Sequence, residues 1–358
     1  MGEAATEGMP TRRATIADVA RAIGVTKGTV SRALNGHPDI AEATRARAAR
    51  AAERLGYRPL GSAQAIRTGL SRALGLVIET GEHDAHRPFL AEFLAGLSQG
   101  AAAEGWTLAV ASAPEGAALD AYRRLVGERK VDGFVLPRTR TVDPRVALLR
   151  ALAVPFVLFG RHGDPAGCAW HDVDGAAAMR GAVARLARAG HRRIAFVGGS
   201  PLHAYSHLRE RGFREGMAAA GLAVDEALVR HGAVDRAAGA ALAAALLDRA
   251  DPPTGFAYAI DLAALGLWRA AAARGLAVGR DLSVIAYDGT AEAAHAEPPL
   301  ATYAVDYGAA GLRLAALLMR RIRGEPPEGL REVAPACYRD GGSARWAGRP
   351  AGDDIQGG

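Results

Sequence analysis

Two groups of residues have the types and spacing to do chemistry on a partner. The first is Thr26, Lys27, Gly28, Thr29, Ser31 and Arg32. Hydroxyls and cations on one helical face can bond DNA phosphates and base edges in a major groove. The second group follows apolar runs: Arg138 and Arg140 after GFVLP, Arg161 after PFVLFG, and Asp288 after SVIAY. A carboxylate and guanidinium groups converging on one cleft suit a polyhydroxylated ligand, because each makes paired, charge-assisted hydrogen bonds to neighbouring hydroxyls. For each of these the plainer alternative is a salt bridge between subdomains.

The elements that position the first group are legible over residues 15–35, TIADVARAIGVTKGTVSRALN. Thr15, with Asp18 three residues on, predicts the start of a helix whose Ile16, Val19, Ala20 and Ile23 form one apolar stripe. Gly24 suits the tight turn that follows, Val25 can plug the space beneath it, and Thr26 caps a second helix over Lys27–Leu34. Val30, Ala33 and Leu34 of that helix face inward, leaving its small polar and cationic residues outside. A helical hairpin wetted only by water is the competing reading. A third helix over 41–55 ends at Gly56, and its Arg45, Arg47, Arg50 and Arg54 suit phosphates or a solvated face.

The chain has 358 residues, 49% of them hydrophobic, enough for two or three domains with sizeable cores. Its formal charge of +6 is local: residues 1–72 hold 12 Lys or Arg against 6 Asp or Glu, and the rest are balanced. A basic head on a neutral body is what a DNA-binding module fused to a separate domain would show. Cys168 and Cys337 make no disulfide framework. No signal-like run and no stretch of about 18 uncharged apolar residues is present, so the expected location is the cytoplasm, with no membrane partner. Nucleotide-binding glycine motifs are missing, and the G-x-S-x-G string GLSQG at 96–100 falls inside the helix predicted at 89–104 rather than at a strand-to-helix elbow, so the chain is not expected to be an enzyme and no cofactor is implied. His83 with His86, and His203 with His207, have spacings a metal can use, but lack a third ligand, and no metal site is expected.

From Arg72 apolar runs alternate with amphipathic stretches. Strands are predicted at 74–78, 107–112, 133–137, 155–160, 193–199, 256–260 and 283–289, and helices at 89–104, 120–129, 175–189, 209–220, 237–248 and 262–274. Strand then helix, repeated, implies an α/β body with parallel sheets, whose buried strands read as continuous apolar runs.

The run TIADVARAIGVTKGTVSRALNG, followed by TRARAARAAERLGYRP and then AIRTG, resembles the N-terminal signature of the lactose-repressor (LacI/GalR) family of bacterial transcription factors. The resemblance continues through KVDGFVLP, GHRRIAFVGG, RGFREGMAAAGL, DLAALGL and DLSVIAYDG. It implies a helix-turn-helix head at 15–59 after a disordered tail at 1–14, a hinge helix and linker at 60–72, and a periplasmic-binding-protein-like body at 73–340. Two subdomains would divide the body, 73–170 with 302–325 and 171–301 with 330–340, ahead of a flexible tail at 341–358. The same resemblance places DNA contacts at Thr15, Thr26, Lys27, Gly28, Thr29, Ser31, Arg32, Asn35 and Tyr57, and minor-groove contacts at Ala63 and Ile66. Leu60 stands where the family has Asn and Ile66 where it has Leu. Gly28 has no side chain to read with, so discrimination falls to Lys27, Thr29 and Arg32.

For the body the resemblance implies a small-molecule effector in the cleft between subdomains, at the carboxyl ends of the strands. Its contacts would be Phe89, Arg138, Arg140, Arg161, His207, Arg209, Asp261 and Asp288. His207, counted back from Gly212-Phe213, stands where many relatives have a ligand-contacting Arg. Asp261 sits in a motif that usually reads Asn-Asp, with Ile260 as its first member, and Val234 falls where some relatives have an aromatic platform. PRTRTVDPR, FGR and DVDG resemble regulators of α-glucoside or related oligosaccharide use. The expectation is a sugar-controlled repressor, a homodimer on a pseudo-palindromic operator in double-stranded DNA. The alternatives are a purine or other metabolite sensor of the same family, and a solute-binding protein or enzyme on a similar α/β body.

Overall fold

The computed structural model describes residues 14–57, 69–80 and 89–345. It divides into two units, Met1–Ser71 and Arg72–Gly358.

In the first unit, helices α1 (Ile16–Ile23), α2 (Lys27–Leu34) and α3 (Glu42–Arg54) enclose a core of Val19, Ala20, Ile23, Val30, Ile40, Ala48 and Ala51. The Asp18 carboxylate accepts from the Thr15 N–H at 2.9 Å and from its hydroxyl at 2.7 Å, fixing the start of α1. Gly24 ends α1 at φ +68°, a left-handed conformation that costs a glycine little. The Thr26 hydroxyl then accepts from the Thr29 N–H at 3.1 Å and starts α2. Arg47 of α3 donates to the Ile23 carbonyl at 2.7 Å, so this arginine, offered above for phosphate contact, closes the C-terminal end of α1.

The second unit holds two six-stranded sheets. Strands β1 (Ala73–Thr80), β2 (Thr107–Pro114), β3 (Gly133–Leu136), β4 (Phe156–Phe159) and β5 (Ala169–Val173) alternate with α4 (Leu90–Ala103), α5 (Ala118–Gly127) and α6 (Pro144–Ala151). After α7 (Gly175–Arg188) come β6 (Ile194–Val197), α8 (Ala204–Ala219), β7 (Val229–Arg230), α9 (Arg236–Leu247) and β8 (Gly255–Tyr258). Next are the short helices α10 (Asp261–Ala264) and α11 (Gly266–Ala272), then β9 (Ser283–Asp288), α12 (Ala291–Ala294) and β10 (Ala301–Ala304). Helix α13 (Tyr307–Ile322) precedes β11 (Arg331–Ala334) and β12 (Cys337–Arg339). The strand orders are β11-β5-β4-β3-β1-β2 and β12-β10-β9-β8-β6-β7. All pairings are parallel except β10 with β12.

The chain therefore passes between the two lobes three times, after β5, after β10 and after β11. This redraws the division expected from sequence, which put 330–340 in the second subdomain and ended the first segment at 170. Arg331–Ala334 pairs with Trp170–Val173 in the first sheet, because Leu330 and Ala334 supply carbonyls to the Trp170 and Asp174 N–H groups. Nor is the C-terminal tail loose from residue 341. Ser343 is buried, donating to the Val284 carbonyl and accepting from the Ala301 N–H, each at 2.8 Å.

Helices α4 and α13 pack together on the first sheet at very short range. A Cβ on Gly96 would collide with the Gly308 carbonyl, so glycine is required there. That approach brings the N-terminal ends of both helices, with Phe89 and Tyr307, to the carboxyl edge of the sheet.

Candidate functional site

Between the two lobes, at the carboxyl ends of their strands, lies a cavity of about 460 Å3. Position and size fit the usual binding crevice of parallel α/β sheets. One wall is aromatic. Phe89, just before α4, lies 4.9 Å from the Tyr307 ring, and Phe159 at the end of β4 meets the same ring edge-on at 6.1 Å.

The other lobe brings charge. Arg209 on α8 lies with its guanidinium 3.7 Å from the Tyr287 ring centroid and 4.6 Å from that of Tyr205. It donates to the Ala259 carbonyl at 2.6 Å, and its Nε has no hydrogen-bond partner among the described residues. Asp288, the last residue of β9, stands 4.0 Å from that guanidinium and accepts from the Tyr307 hydroxyl at 3.0 Å. Tyr307 opens a helix packed on the first sheet, so this bond spans the lobes. Burial pushes the Asp288 carboxyl up to about 7, against the opposing pull of Arg209. Its φ of +134° is a strained setting for a residue with a Cβ.

Of the residues expected from sequence, Phe89, Arg138, Arg140, Arg209 and Asp288 line this cavity, as do Val234 and Ile260. Three others do not. Arg161 stands behind the wall, donating through Nε to Asp172 at 2.5 Å, and it is Asp172 that reaches the cavity. His207 is exposed on α8, its Nε2 2.7 Å from the Pro201 carbonyl. Helical residues two apart point about 200° from one another, so when Arg209 faces the cleft His207 cannot. The helix also begins at Ala204 rather than near Arg209, which sets that phase. Asp261 is fully buried and accepts from the N–H groups of Gly289 and Thr290 at 2.8 and 2.9 Å and from the Thr302 hydroxyl at 2.6 Å. These bonds hold the turn after Asp288.

Among the lining side chains that sequence reasoning missed are Glu79, Asp172, His203, Tyr205, Tyr287 and Tyr307. Tyr287 and Glu79 carried a signal, since each sits at or beside the end of an apolar strand. His203, Tyr205 and Tyr307 come from helix starts and a loop that no periodicity marks, and Asp172 from β5, a short, partly polar strand. His203 is neutral near pH 7, because burial first, and then Arg138, Arg140 and Arg145, push it down to about 4. Beneath this corner Arg145 forms a buried pair with Asp143, donating through Nε at 2.9 Å and Nη2 at 2.6 Å. Arg145 also donates to the Pro137 and Arg138 carbonyls, fixing the loop after β3.

In the head, Lys27, Gly28 and Arg32 are exposed on α2, and Thr29 and Ser31 are half-buried. Arg32 donates to Asp39 at 2.7 Å. Thr15, Thr26 and Asn35 stand at helix ends, and half-buried Tyr57 packs against the core. Leu60, Ala63, Ile66, His83 and His86 lie outside the described residues, as do the ends of the two expected tails.

Comparison with known proteins accounts for both units. Residues 15–59 match the profile of bacterial regulatory proteins, lacI family, and residues 183–344 that of a periplasmic binding protein-like domain. The chain is 37% identical to the HTH-type transcriptional regulator AglR of Rhizobium meliloti (strain 1021), over 87% of this chain and 89% of that protein. It is 34% identical to the HTH-type transcriptional regulator CelR of Thermobifida fusca, over 90% and 96%. Among solved structures, the transcriptional regulator CelR–cellobiose complex superposes with a TM-score of 0.72 at 31% identity, covering 92% of this chain and 100% of that one. The lac repressor dimer bound to operator and the anti-inducer ONPF shares the fold, with a TM-score of 0.77 at 23% identity over 93% and 100%. Such relatives are regulators and not enzymes. A helix-turn-helix head joined to a periplasmic-binding-protein-like body, with these relatives across nearly its whole length, makes the chain a DNA-binding transcriptional regulator of the lacI family.

Proposed function

We propose that this regulator is a repressor whose operator affinity is set by a sugar or oligosaccharide bound between the two lobes. The observation that carries this is the floor of the cleft. Asp288 and Arg209 form a long ion pair at 4.0 Å, without a direct hydrogen bond, beside aromatic rings that can cover the apolar face of a sugar. The cavity lining carries four arginines and four carboxylates, so its formal charge is balanced and favours a neutral ligand over a nucleotide-like anion. The cellobiose bound to CelR agrees in kind.

Lys27, Thr29 and Arg32 would read one half-site in the major groove, with Thr15, Thr26, Gly28, Ser31, Asn35 and Tyr57 on the flanking backbone. A pseudo-palindromic operator needs two heads, hence a homodimer. Ala63 and Ile66 would enter the central minor groove from the paired hinges. Ligand and operator would prefer different arrangements of the lobes, and a few kcal/mol of difference is enough for the sugar to release DNA. Thermal unfolding of the full chain with neutral sugars and with purines tests the ligand class. A sugar should raise the midpoint, and stabilisation by purines alone refutes the sugar reading.

A further inference from the structure

We infer that the cleft takes a ligand at least two sugar units long, whose second unit is held by Glu79, Arg140 and His203. This rests on the sugar reading above and adds the length of the ligand and the residues that measure it.

The cavity lining runs along the carboxyl edge of the first sheet. It begins at Asp172 and Val173 on β5, passes Phe159 on β4, Pro137 after β3 and Glu79 on β1, and reaches Glu115 after β2. These five strand ends are consecutive neighbours in the sheet, and four gaps of 4.7–4.9 Å make a row of about 19 Å. A single sugar ring covers little more than one such gap. Among the described residues, a ring held at Asp288 and Arg209 therefore leaves the β3–β1–β2 end of the row open to a second unit.

That end carries its own polar groups. Arg140 donates to Glu79 at 3.3 Å, a long pair in which the side chains keep 40% and 25% exposure. The neighbouring Arg145–Asp143 pair is the tighter case, 2.6 Å long with Asp143 fully enclosed and the Nε and Nη2 of Arg145 already engaged. Across the cleft, His203 has a buried Nδ1 with no hydrogen-bond partner among the described residues, at a cost that a ligand hydroxyl would relieve. Arg140 and His203 are also joined through their backbones. They form an isolated antiparallel bridge, with the Ala204 N–H donating to the Thr139 carbonyl at 3.0 Å and the Thr141 N–H to the Leu202 carbonyl at 3.2 Å. The bridge ties the loop after β3 in one lobe to the loop before α8 in the other. The second unit would thus be gripped from both lobes where they join, and a longer sugar would stabilise the closed arrangement more than a single ring.

Isothermal titration of the full chain tests this with glucose and galactose on one side and maltose, cellobiose, melibiose and raffinose on the other. At least one of the longer sugars should bind tenfold or more tightly than either monosaccharide. Glu79→Gln and Arg140→Met should each bring that ratio down by at least threefold, with circular dichroism confirming that both variants fold. Monosaccharides that bind as tightly as the longer sugars overturn the two-unit cleft and leave the sugar reading standing. No binding by any of the six overturns both. A ratio unchanged in both variants removes the second unit from these residues.

Discussion

Asp288 and Arg209 face each other across 4.0 Å, while the guanidinium spends its hydrogen bond on the Ala259 carbonyl and the carboxylate takes one from Tyr307. The two charges pair only at long range, with no hydrogen bond between them. The aromatic rings on the guanidinium hold it in place without using its N–H groups, so a ligand hydroxyl can take what the protein leaves unmade.

The first prediction concerns pH. Folded Asp288 holds its proton more tightly than the unfolded chain does, so its contribution to stability is fully present below the unfolded carboxylate range and is lost as pH rises through about 7. Asp288→Asn should flatten that slope and raise the unfolding midpoint at pH 8, by at most about 4 kcal/mol in free energy. It should also cost the ligand response. Denaturation at pH 6 and pH 8 measures the slope, and an unchanged slope in the variant refutes the assignment.

Removing the partner should act in the other direction. Arg209→Ala leaves the Asp288 carboxyl without its cation and opens the stack of Tyr205 and Tyr287, for a loss of about 3 kcal/mol in urea denaturation. Arg209→Lys keeps the charge but not the planar fork, and should fold while binding sugar at least tenfold more weakly. Wild-type affinity in the lysine variant would show that the fork is not used.

Asp261 should separate from these residues by phenotype. Its bonds go to Gly289, Thr290 and Thr302 inside one lobe, so Asp261→Ala strands buried donors and should cost about 2–4 kcal/mol of stability. Full stability with lost ligand affinity would return it to the binding surface.

In the head, Arg32 is exposed and paired with Asp39, and that pair must open for the guanidinium to reach a base. Exposed pairs are worth about 0.2–1 kcal/mol, so Asp39→Asn should tighten DNA binding no more than a few fold. Arg32→Ala should weaken specific binding by about 1–3 kcal/mol and relax base preference. Selection from a random duplex pool checks both, and an unaltered consensus for the Arg32 variant counts against its role.

The sequence made the skeleton legible where physics repeats itself. The continuous apolar runs of GFVL, FVLF, IAFV and SVIAYD could only be buried parallel strands. The edge strands VR, REVA and CYR, and AWHDV one place in from the edge, were invisible, because they are short, partly polar and defined by pairing with a distant neighbour. The cleft divided the same way. Asp288 and Arg138 were readable from their place after a strand. His207 and Arg161 had suitable chemistry but the wrong direction, which only the phase of α8 and the position of Asp172 could reveal. The two tyrosines on Arg209 come from separate elements, Tyr205 from one turn earlier on α8 and Tyr287 from β9, and only the true start of α8 brings the first onto the guanidinium.

The most direct test joins the two units in one assay: operator affinity of the full chain, by fluorescence anisotropy on a duplex selected from a random pool, with and without the sugars used above. At least one sugar should weaken operator binding tenfold or more, and Asp288→Asn should bind the same duplex yet ignore the sugar. Operator affinity that no sugar changes, or an Asp288→Asn variant that responds as the wild type does, would contradict the account.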